Sequence, residues 1–322
     1  MREITYLEAI TEAQREEMRR DPRVFIMGED IATGVFGTTR GFVEEFGPER
    51  VRNTPISEAG FVGAAIGAAM VGMQPIVDFT IASFIYVAMD QLISMAAKTT
   101  YMYGGQTRVP VVFRAGLFFG GSNAAQHSDR PYPMLMNVPG LKIILPSTPY
   151  DVKGLLKTAI RTDDPVFCFE DGLLWLTKGP VPAEEYLIPL GVADIKRAGM
   201  DVTVVALASR VQEALTAAEL AAQAGISVEV IDPRTLVPLD KETILQSVSK
   251  TGRLVVVDEA HRTCGAASEI VAIVAEEGFW SLKAPIKRLA VPDTQIPFSP
   301  PLEQILYPDA HRIFAAIQEV MQ

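Results

Sequence analysis

The residues of this sequence best suited to chemistry are a glutamate, Glu58, and a loop histidine, His127. Glu58 is the only charged residue between positions 53 and 73, a run rich in glycine and alanine. Its carboxyl group could lie in an apolar cleft and share a proton with a ring nitrogen of a bound ligand. Alternatively, it is an acidic first-turn residue that the helix dipole stabilises by about 0.3–1 kcal/mol.

The residues around Glu58 predict an apolar helix. Pro55 favours an extended conformation at the residue before it, and Ser57 is a candidate N-cap. The helix that follows is apolar on every face, so we expect it inside the protein or at an interface. Gly63 and Gly67 lie four residues apart on one face, where they leave the backbone open to close packing.

The other polar residues that could act chemically are three histidines and an arginine. His127 follows Gly120-Gly121 in a predicted loop, where it could exchange a proton near neutral pH or be only a solvated side chain. His261 and His311 are predicted to face solvent or an interface. Arg114 follows a predicted strand and could neutralise a ligand carboxylate or form a structural ion pair.

Length and charge limit the classes of function. A chain of 322 residues, 48% of them hydrophobic, is too long for one modest core and suggests two domains. The net charge of −10 and the pI near 5.0 oppose binding to nucleic acid or to an anionic membrane. Basic segments of partner proteins would be attracted instead.

The sequence predicts neither secretion nor membrane insertion. The first ten residues alternate charged and apolar types, without the apolar core of a signal peptide. The uncharged run from 59 to 77 has the length of a membrane span, but glycine and alanine dominate it and it contains Gln74-Pro75. Cys168 and Cys264 are too few for a disulfide framework or a metal cluster. We therefore predict a protein of the reducing cytoplasm.

Short apolar runs alternate with helical patterns along the chain. Predicted strands begin near Val24, Pro75, Val109, Leu141 and Pro165 and, after an irregular interval, near Val202, Ser227, Leu254 and Ile286. Predicted helices cover 4–20, 59–73, 84–97, 211–224, 266–276 and a stretch after Pro308. This alternation predicts an α/β protein with two open, mostly parallel sheets.

The irregular interval marks the predicted domain boundary. The pattern stops between about residues 176 and 191, where three prolines and Glu184-Glu185 occur. We predict a first domain at 1–180, a linker at 181–192 and a second domain at 193–322, which is of ordinary domain size.

Several segments resemble one enzyme family. Glu58, Gly63 and Gly67 match the glutamate and the two glycines of the thiamine-diphosphate motif of transketolase-like enzymes. The wider resemblance is to the beta subunit of the decarboxylating component of 2-oxoacid dehydrogenase complexes, which act on pyruvate, branched-chain 2-oxoacids or acetoin. It rests on M-G-E-D at 27–30, F-G-P-E-R-V at 46–51, A-Q-H-S at 125–128 and P-G-L-K-I-I-L-P-S-T-P-Y-D at 139–151. It extends over essentially the whole chain and implies a transketolase-like pyrimidine-binding domain followed by a transketolase C-terminal-like domain.

The resemblance implies that thiamine diphosphate is the cofactor and that this chain binds its pyrimidine side. Glu58 would exchange a proton with the pyrimidine ring, Phe84 would pack against that ring, and Ile56 would add an apolar contact. The sequence lacks the G-D-G run with an asparagine pair that binds the diphosphate and magnesium in this family. An alpha subunit must then supply those residues, in a tetramer of two alpha and two beta chains.

The family also implies a role for His127. The histidine of its A-Q-H-S run reaches the reacting end of the cofactor. There it can stabilise the enolate-like intermediate or assist reductive acylation of a lipoyl group on an acyltransferase core. Asp129-Arg130-Pro131 departs from the Q-S of many relatives, so the substrate side of this pocket is expected to differ. Much of that pocket would belong to the alpha subunit, so this sequence does not identify the substrate.

The segment 159–165 resembles a loop that wraps a potassium ion with main-chain oxygens in some relatives. The ligands would be the oxygens of Val111, Ala159, Ile160, Thr162 and Asp164. Thr162 stands where relatives have aspartate, a change that main-chain ligation tolerates. As plain sequence, the segment is only a turn between a helix and a strand.

Two other functions stay open at this point. The chain could be a split transketolase-type subunit, although the matches at 125–128 and 139–151 favour the dehydrogenase family. It could also be a non-catalytic scaffold subunit of the same fold. The presence of Glu58 and His127 argues against a scaffold, and an activity assay with an alpha chain would decide.

Overall fold

The structure is a computed structural model that describes all 322 residues of the chain. Its strands are β1 (Arg2–Thr5), β2 (Val24–Gly28), β3 (Val51–Asn53), β4 (Gln74–Ile81), β5 (Val112–Leu117), β6 (Lys142–Ile144), β7 (Val166–Asp171), β8 (Lys178–Val181), β9 (Asp194–Arg197), β10 (Val202–Ala206), β11 (Val228–Asp232), β12 (Thr235–Val237), β13 (Leu254–His261) and β14 (Lys287–Val291).

Helices follow or connect most of these strands. The α-helices are α1 (Tyr6–Arg20), α2 (Phe42–Phe46), α3 (Glu58–Met70), α4 (Thr99–Met102), α5 (Ala124–His127), α6 (Tyr132–Met136), α7 (Pro149–Arg161), α8 (Arg210–Gln223), α9 (Lys241–Thr251), α10 (Ala266–Glu277), α11 (Pro300–Gln304) and α12 (Ala310–Met321). The segment 82–88 is 3-10 helical, and 91–96 is π-helical. No helix is both long enough and apolar enough to cross a membrane.

The chain folds into two compact units. The first comprises Met1–Phe118 and Met134–Leu190, and the second comprises Phe119–Pro133 and Gly191–Gln322. The segment from 119 to 133, which contains His127, therefore belongs to the second unit by its contacts. The domain boundaries given above for the sequence stay a prediction.

The first unit is built on a parallel sheet. Its strands lie in the order β6-β7-β5-β4-β2-β3, and every neighbouring pair is parallel. Parallel strands place all their carboxyl ends at one edge of the sheet, so the segments after β2, β3 and β4 begin side by side. These segments carry the predicted site residues Glu58 and Phe84.

The two faces of this sheet are covered differently. Side chains of one face join a core with residues of α1 and α7, among them Ile10, Val112 and Leu155. Phe113, the next residue along β5, faces the other way and stacks on Phe167 with ring centroids 4.9 Å apart. On that side α3 packs against β4 and against the segments 82–88 and 91–96.

The second unit contains a sheet of five strands in the order β14-β13-β10-β11-β9. The first four are parallel, and β9 pairs antiparallel to β11 at the edge. Buried valines of β10, β11 and β13 and the apolar faces of α8 and α12 form its core. Together the two units confirm the prediction of an α/β fold with open, mostly parallel sheets.

The predictions for the first residues of the chain and for the interval after residue 176 were wrong in detail. The helix predicted over 4–20 begins only at Tyr6, because Thr5 caps it in a capping box with Glu8. The residues before it form β1, which pairs antiparallel with β8. β8 lies inside the interval that was predicted to be irregular because of its prolines. Its backbone nevertheless pairs with that of β1.

The helix predicted over 84–97 is not α-helical, since 82–88 forms 3-10 turns and 91–96 forms a π-helical turn. No glycine or proline interrupts this segment, so tertiary packing against α3 sets its conformation rather than local propensity. The remaining predicted helices and strands are present, with ends shifted by a few residues.

Candidate functional site

The carboxylate of Glu58 lies at the start of α3 and is 7% exposed. No protein group forms a hydrogen bond or an ion pair with it. Ser57 occupies the N-cap position, as predicted, although its hydroxyl makes no capping hydrogen bond. Glu58 is therefore a nearly buried carboxylate whose main support is the positive end of the helix dipole, and it remains available to a ligand.

A second carboxyl group lies near Glu58. Glu29 directly follows β2 at the same edge of the sheet. Burial raises the pKa of Glu29, and the carboxylates of Glu58 and Asp30 raise it further. One of its oxygens, Oε1, is buried without a hydrogen-bond partner. A carboxyl group with a raised pKa beside a cofactor site can donate a proton to a basic ring nitrogen.

Hydrogen bonds and close packing fix the backbone around these carboxyl groups. Thr54 N donates to Gly28 O over 2.9 Å, and Ala32 N donates to Asn53 Oδ1 over 2.7 Å. A Cβ atom on Gly28 would lie 2.3 Å from the carbonyl oxygen of Asp78, so only glycine fits there. These contacts join the ends of β2, β3 and β4, which carry the segments leading to the site.

Phe84 and Ile56 lie in the same unit as Glu58. Phe84 is partly buried in the 3-10 segment that packs against α3. In the same segment the hydroxyl of Ser83 is buried without a hydrogen-bond partner. Ile56 lies two residues before Glu58 and is 84% exposed. An isoleucine so exposed gains an apolar contact only when another molecule covers it.

A buried ionic network joins β4, β5 and β7. Arg114 makes a two-point ion pair with Glu170, with distances of 2.6 and 2.8 Å, and a further one of 2.7 Å to Asp78. Asp78 also accepts a hydrogen bond from Thr80 N over 2.8 Å. Of its two predicted roles, Arg114 therefore has the structural one, and through Asp78 it fixes the backbone that leads into the segment of Phe84.

His127 lies in the second unit, at the end of the short helix α5, and its side chain is partly buried. The turn before it contains left-handed backbone at Gly120, Ser122 and Ala124, with φ of 89°, 56° and 59°. Non-glycine residues rarely adopt this conformation, and it persists where the surroundings impose it. The residues that carry His127 are therefore a defined turn rather than an open loop.

The residues after His127 are fixed to the end of β13. Arg130 is buried and makes an ion pair of 2.9 Å with Glu259. The hydroxyl of Tyr132 donates to Asp258 over 2.5 Å. The run Asp129-Arg130-Pro131, predicted to alter a substrate pocket, thus holds a buried structural arginine within the second unit.

The other two histidines are exposed, as predicted. His261 Nδ1 lies 3.0 Å from the carbonyl oxygen of Pro292, at the end of β13. Cys168 and Cys264 are both unpaired thiols. No group of three histidine, cysteine, aspartate or glutamate side chains is arranged to hold a metal ion.

The main-chain groups of the predicted potassium site lie where β5 and β7 begin. The carbonyl oxygen of Val111 accepts from Val166 N over 2.9 Å, and that of Ala159 accepts from Thr162 N over 3.3 Å. The side chain of Asp164 forms an ion pair of 2.6 Å with Lys142. The main-chain carbonyl oxygen of Asp164 takes no part in that ion pair. Each carbonyl oxygen can accept a second interaction, so the site stays a prediction.

Sequence reasoning did not assign functional roles to Glu29 or Glu259. Glu29 stands in the run M-G-E-D directly after an apolar strand, and a carboxylate at that position could have been noticed. Glu259 also ends a strand, but its partner Arg130 is 129 positions away. No local pattern indicates such a pairing.

Two family models match this chain and together cover most of it. The transketolase pyrimidine-binding domain matches residues 2–173, and the transketolase C-terminal domain matches residues 191–313. A solved split-gene transketolase, described as an inactive beta4 tetramer, superposes with a TM-score of 0.82 and 23% identity. That comparison covers 99% of this chain and 98% of that chain. At this identity the likeness shows the fold alone.

Curated relatives are more similar in sequence. The beta subunit of acetoin:2,6-dichlorophenolindophenol oxidoreductase from Bacillus subtilis is 46% identical, covering 99% of this chain and 98% of the relative. The beta subunit of 2-oxoisovalerate dehydrogenase from the same organism is 45% identical, covering 99% of each. The beta subunit of the pyruvate dehydrogenase E1 component from Rickettsia felis is 43% identical, covering 99% and 98%.

Proposed function

We infer the function of this chain from its family, since it belongs to the transketolase-like beta subunits of 2-oxoacid and acetoin dehydrogenases. We propose that it is the beta subunit of a thiamine-diphosphate-dependent enzyme that cleaves a 2-oxoacid or acetoin and passes the acyl group to a lipoyl group. The observation that carries this proposal is the buried carboxylate of Glu58, which has no protein partner at the start of α3.

The residues around Glu58 fit the pyrimidine half of thiamine diphosphate. When bound, this cofactor supplies the nucleophilic carbon that adds to a substrate carbonyl. An aminopyrimidine presents ring nitrogens, an amino group and two flat faces. Glu58 can meet a ring nitrogen, and Phe84 belongs to a segment packed on the same helix. The unpartnered polar atoms of Glu29 and Ser83 are further acceptor or donor groups for such a ligand.

Within this site, Glu58 would hold and move the essential proton. Its Oε atoms would exchange a proton with a pyrimidine ring nitrogen. General acid–base catalysis of this kind typically raises a reaction rate by ~10²–10⁴-fold. Glu29 would keep its own proton to a higher pH than an exposed glutamate, since burial and the carboxylates of Glu58 and Asp30 raise its pKa. Ile56 would be covered by the cofactor or by a neighbouring chain, because it is otherwise exposed.

Binding of the diphosphate and magnesium requires another chain, in our proposal an alpha subunit. This sequence has no G-D-G run followed by an asparagine pair, and the matched relatives are themselves named as subunits. The exposed face of α3 supports an interchain contact, because Gly60, Ala64 and Gly67 of this helix and Val71 at its C-terminal cap are all exposed. We propose a tetramer of two alpha and two beta chains that serves a lipoyl-bearing acyltransferase core.

His127 is proposed to act at the acyl-transfer end of the reaction. Its turn is well defined, and an imidazole can give up or accept a proton near neutral pH. Main-chain oxygens of residues 111 and 159–164 are proposed to bind potassium, as a structural ion remote from this chemistry. A cytoplasmic location is also a proposal, consistent with two unpaired cysteines.

The experiment that tests this function is reconstitution with an alpha subunit of the same family. The mixture would be supplied with thiamine diphosphate and magnesium and assayed with a dye as electron acceptor, on acetoin, pyruvate and a branched-chain 2-oxoacid in parallel. We expect dye reduction with one of the three. Dye reduction with none of them, by a complex shown to contain both chains and the cofactor, would contradict the proposal.

A further inference from the structure

A buried carboxylate from near the end of the chain binds the turn that precedes His127. Glu303, on the short helix α11, is 2% exposed. Its Oε1 accepts a hydrogen bond of 2.7 Å from Gly120 N, and its Oε2 accepts one of 2.9 Å from Ser122 N. The hydroxyl of Ser122 adds a third contact of 3.3 Å. One side chain thus satisfies two backbone donors that lie 181 or more positions away.

The turn that Glu303 binds has a conformation that needs such support. Ser122 and Ala124 are both left-handed, and neither is a glycine. Backbone of this kind persists only where surrounding contacts outweigh its cost. Because both N–H groups point at one carboxylate, they form a small anion-binding concavity that Glu303 fills from within the same unit.

A second contact from the same region fixes the entry to the turn. The hydroxyl of Tyr307 donates to the carbonyl oxygen of Phe119 over 2.8 Å, and the two rings lie 4.4 Å apart. Arg130 and Tyr132 hold the exit through Glu259 and Asp258. His127 lies between these two attachments, so its position depends on both.

We propose that Glu303 is a positioning residue for His127 in acyl transfer, an inference that rests on the function proposed above for His127. The carboxylate holds residues 120–124 in their left-handed turn, and that turn places α5 and the imidazole at its end. A carboxylate suits this task because each of its two oxygens accepts one N–H. A glutamine has one oxygen only, and its amide NH2 would face the second N–H.

The proposal is tested with Glu303→Gln in the complex of alpha and beta chains, with Gln304→Ala, an exposed neighbour on α11, as control. We expect hydrogen exchange of a peptide covering 119–128 to quicken at least about tenfold, as for loss of one charge-assisted hydrogen bond. Lipoyl-dependent acylation should fall more than dye-linked oxidation. If Glu303→Gln does not fold, Glu303→Asp keeps the charge but is one methylene too short to reach both N–H groups. Unchanged exchange in the folded variant would overturn the proposal.

A double variant separates positioning from general damage. If Glu303 acts through His127, then Glu303→Gln combined with His127→Ala should lower acylation no further than His127→Ala alone. Additive losses would overturn the inference and leave the proposed function intact. Absence of any turnover in the unmodified complex would instead contradict the proposed function, and the two failures are therefore distinct.

Discussion

Arg114 Nη1 lies 2.7 Å from Asp78 Oδ2, in a part of the first unit where the arginine side chain is only 2% exposed. Burial alone would lower the pKa of Arg114, but Glu170 and Asp78 outweigh it and raise the pKa. The arginine is therefore charged in the folded state and balances two carboxylates. Since Asp78 also binds Thr80 N, this ion pair connects the core of the sheet to the segment of Phe84.

Removal of this arginine should destabilise the protein strongly. Arg114→Met leaves Glu170 and Asp78 without their buried counter-ion, and breaking a buried ion pair on one side costs about 3–5 kcal/mol. Urea unfolding of the purified chain at fixed concentration would measure the loss. Arg19→Met, which removes an exposed ion pair with Glu45, is the control and should leave the midpoint unchanged. Equal effects of the two substitutions would show that the buried ion pairs of Arg114 add no more stability than an exposed one.

Because of Glu29, the stability of the folded chain should depend on pH in the interval between the ordinary and the raised pKa of this side chain. The folded state holds the proton of Glu29 more tightly than the unfolded state, so stability falls as pH rises through that interval and stays lower above it. Glu29→Gln removes this contribution and should raise the melting temperature at pH 7.5 more than at pH 4.5. Melting curves at both pH values measure it. A destabilised variant at pH 7.5 would show that the carboxylate is stabilising instead.

The substitution His127→Ala should separate two chemical steps. Dye-linked oxidation bypasses the lipoyl group, whereas the acyl transfer that we propose needs a proton at the lipoyl sulfur when its disulfide opens. We expect lipoyl-dependent acylation to fall by about 10² or more and dye-linked oxidation to fall less, with unchanged cofactor affinity. Equal losses in the two assays would place His127 in decarboxylation itself. No loss in either would show that His127 takes no part in the reaction.

Assembly should depend on the exposed small residues of α3. A Cβ atom on Gly67 has no atom within 4 Å in this chain, so Gly67→Leu should leave the isolated chain folded. The longer side chain would still block the close approach of another helix. We expect the unmodified chain alone to form weakly active or inactive homo-oligomers, and Gly67→Leu to associate less well with the alpha chain. Ala222→Leu, on an exposed position of α8, is the matched control in size-exclusion chromatography.

The sequence predicted those parts of the fold that local pattern determines. α3 was found because a long uncharged glycine and alanine run follows an extended proline segment, and its observed range of Glu58–Met70 is close to the predicted 59–73. The 3-10 and π-helical turns between 82 and 96 were missed, because packing on α3 rather than residue type decides them. β1 and β8 were missed because each is stabilised by the other.

The candidate site likewise has a part that could be predicted from the sequence and a part that could not. Glu58 and Glu29 follow neighbouring strands of a parallel sheet, so their proximity follows from topology once the strands are assigned. The contact of Glu303 with Gly120 could not be predicted, because it joins positions 183 apart and neither belongs to a recognisable motif. The assignment of residues 119–133 to the second unit depends on contacts of this kind.

We propose that Glu58 activates the cofactor, and Glu58→Gln in the reconstituted complex removes that function alone. The amide has the same shape but cannot exchange the proton, and Glu49→Gln, at a side chain 90% exposed, is the control. Thiamine diphosphate affinity, measured by calorimetry, should stay within a few-fold of the unmodified complex, while turnover falls by ~10²–10⁴-fold. Near-normal turnover in Glu58→Gln would show that Glu58 does not transfer the essential proton.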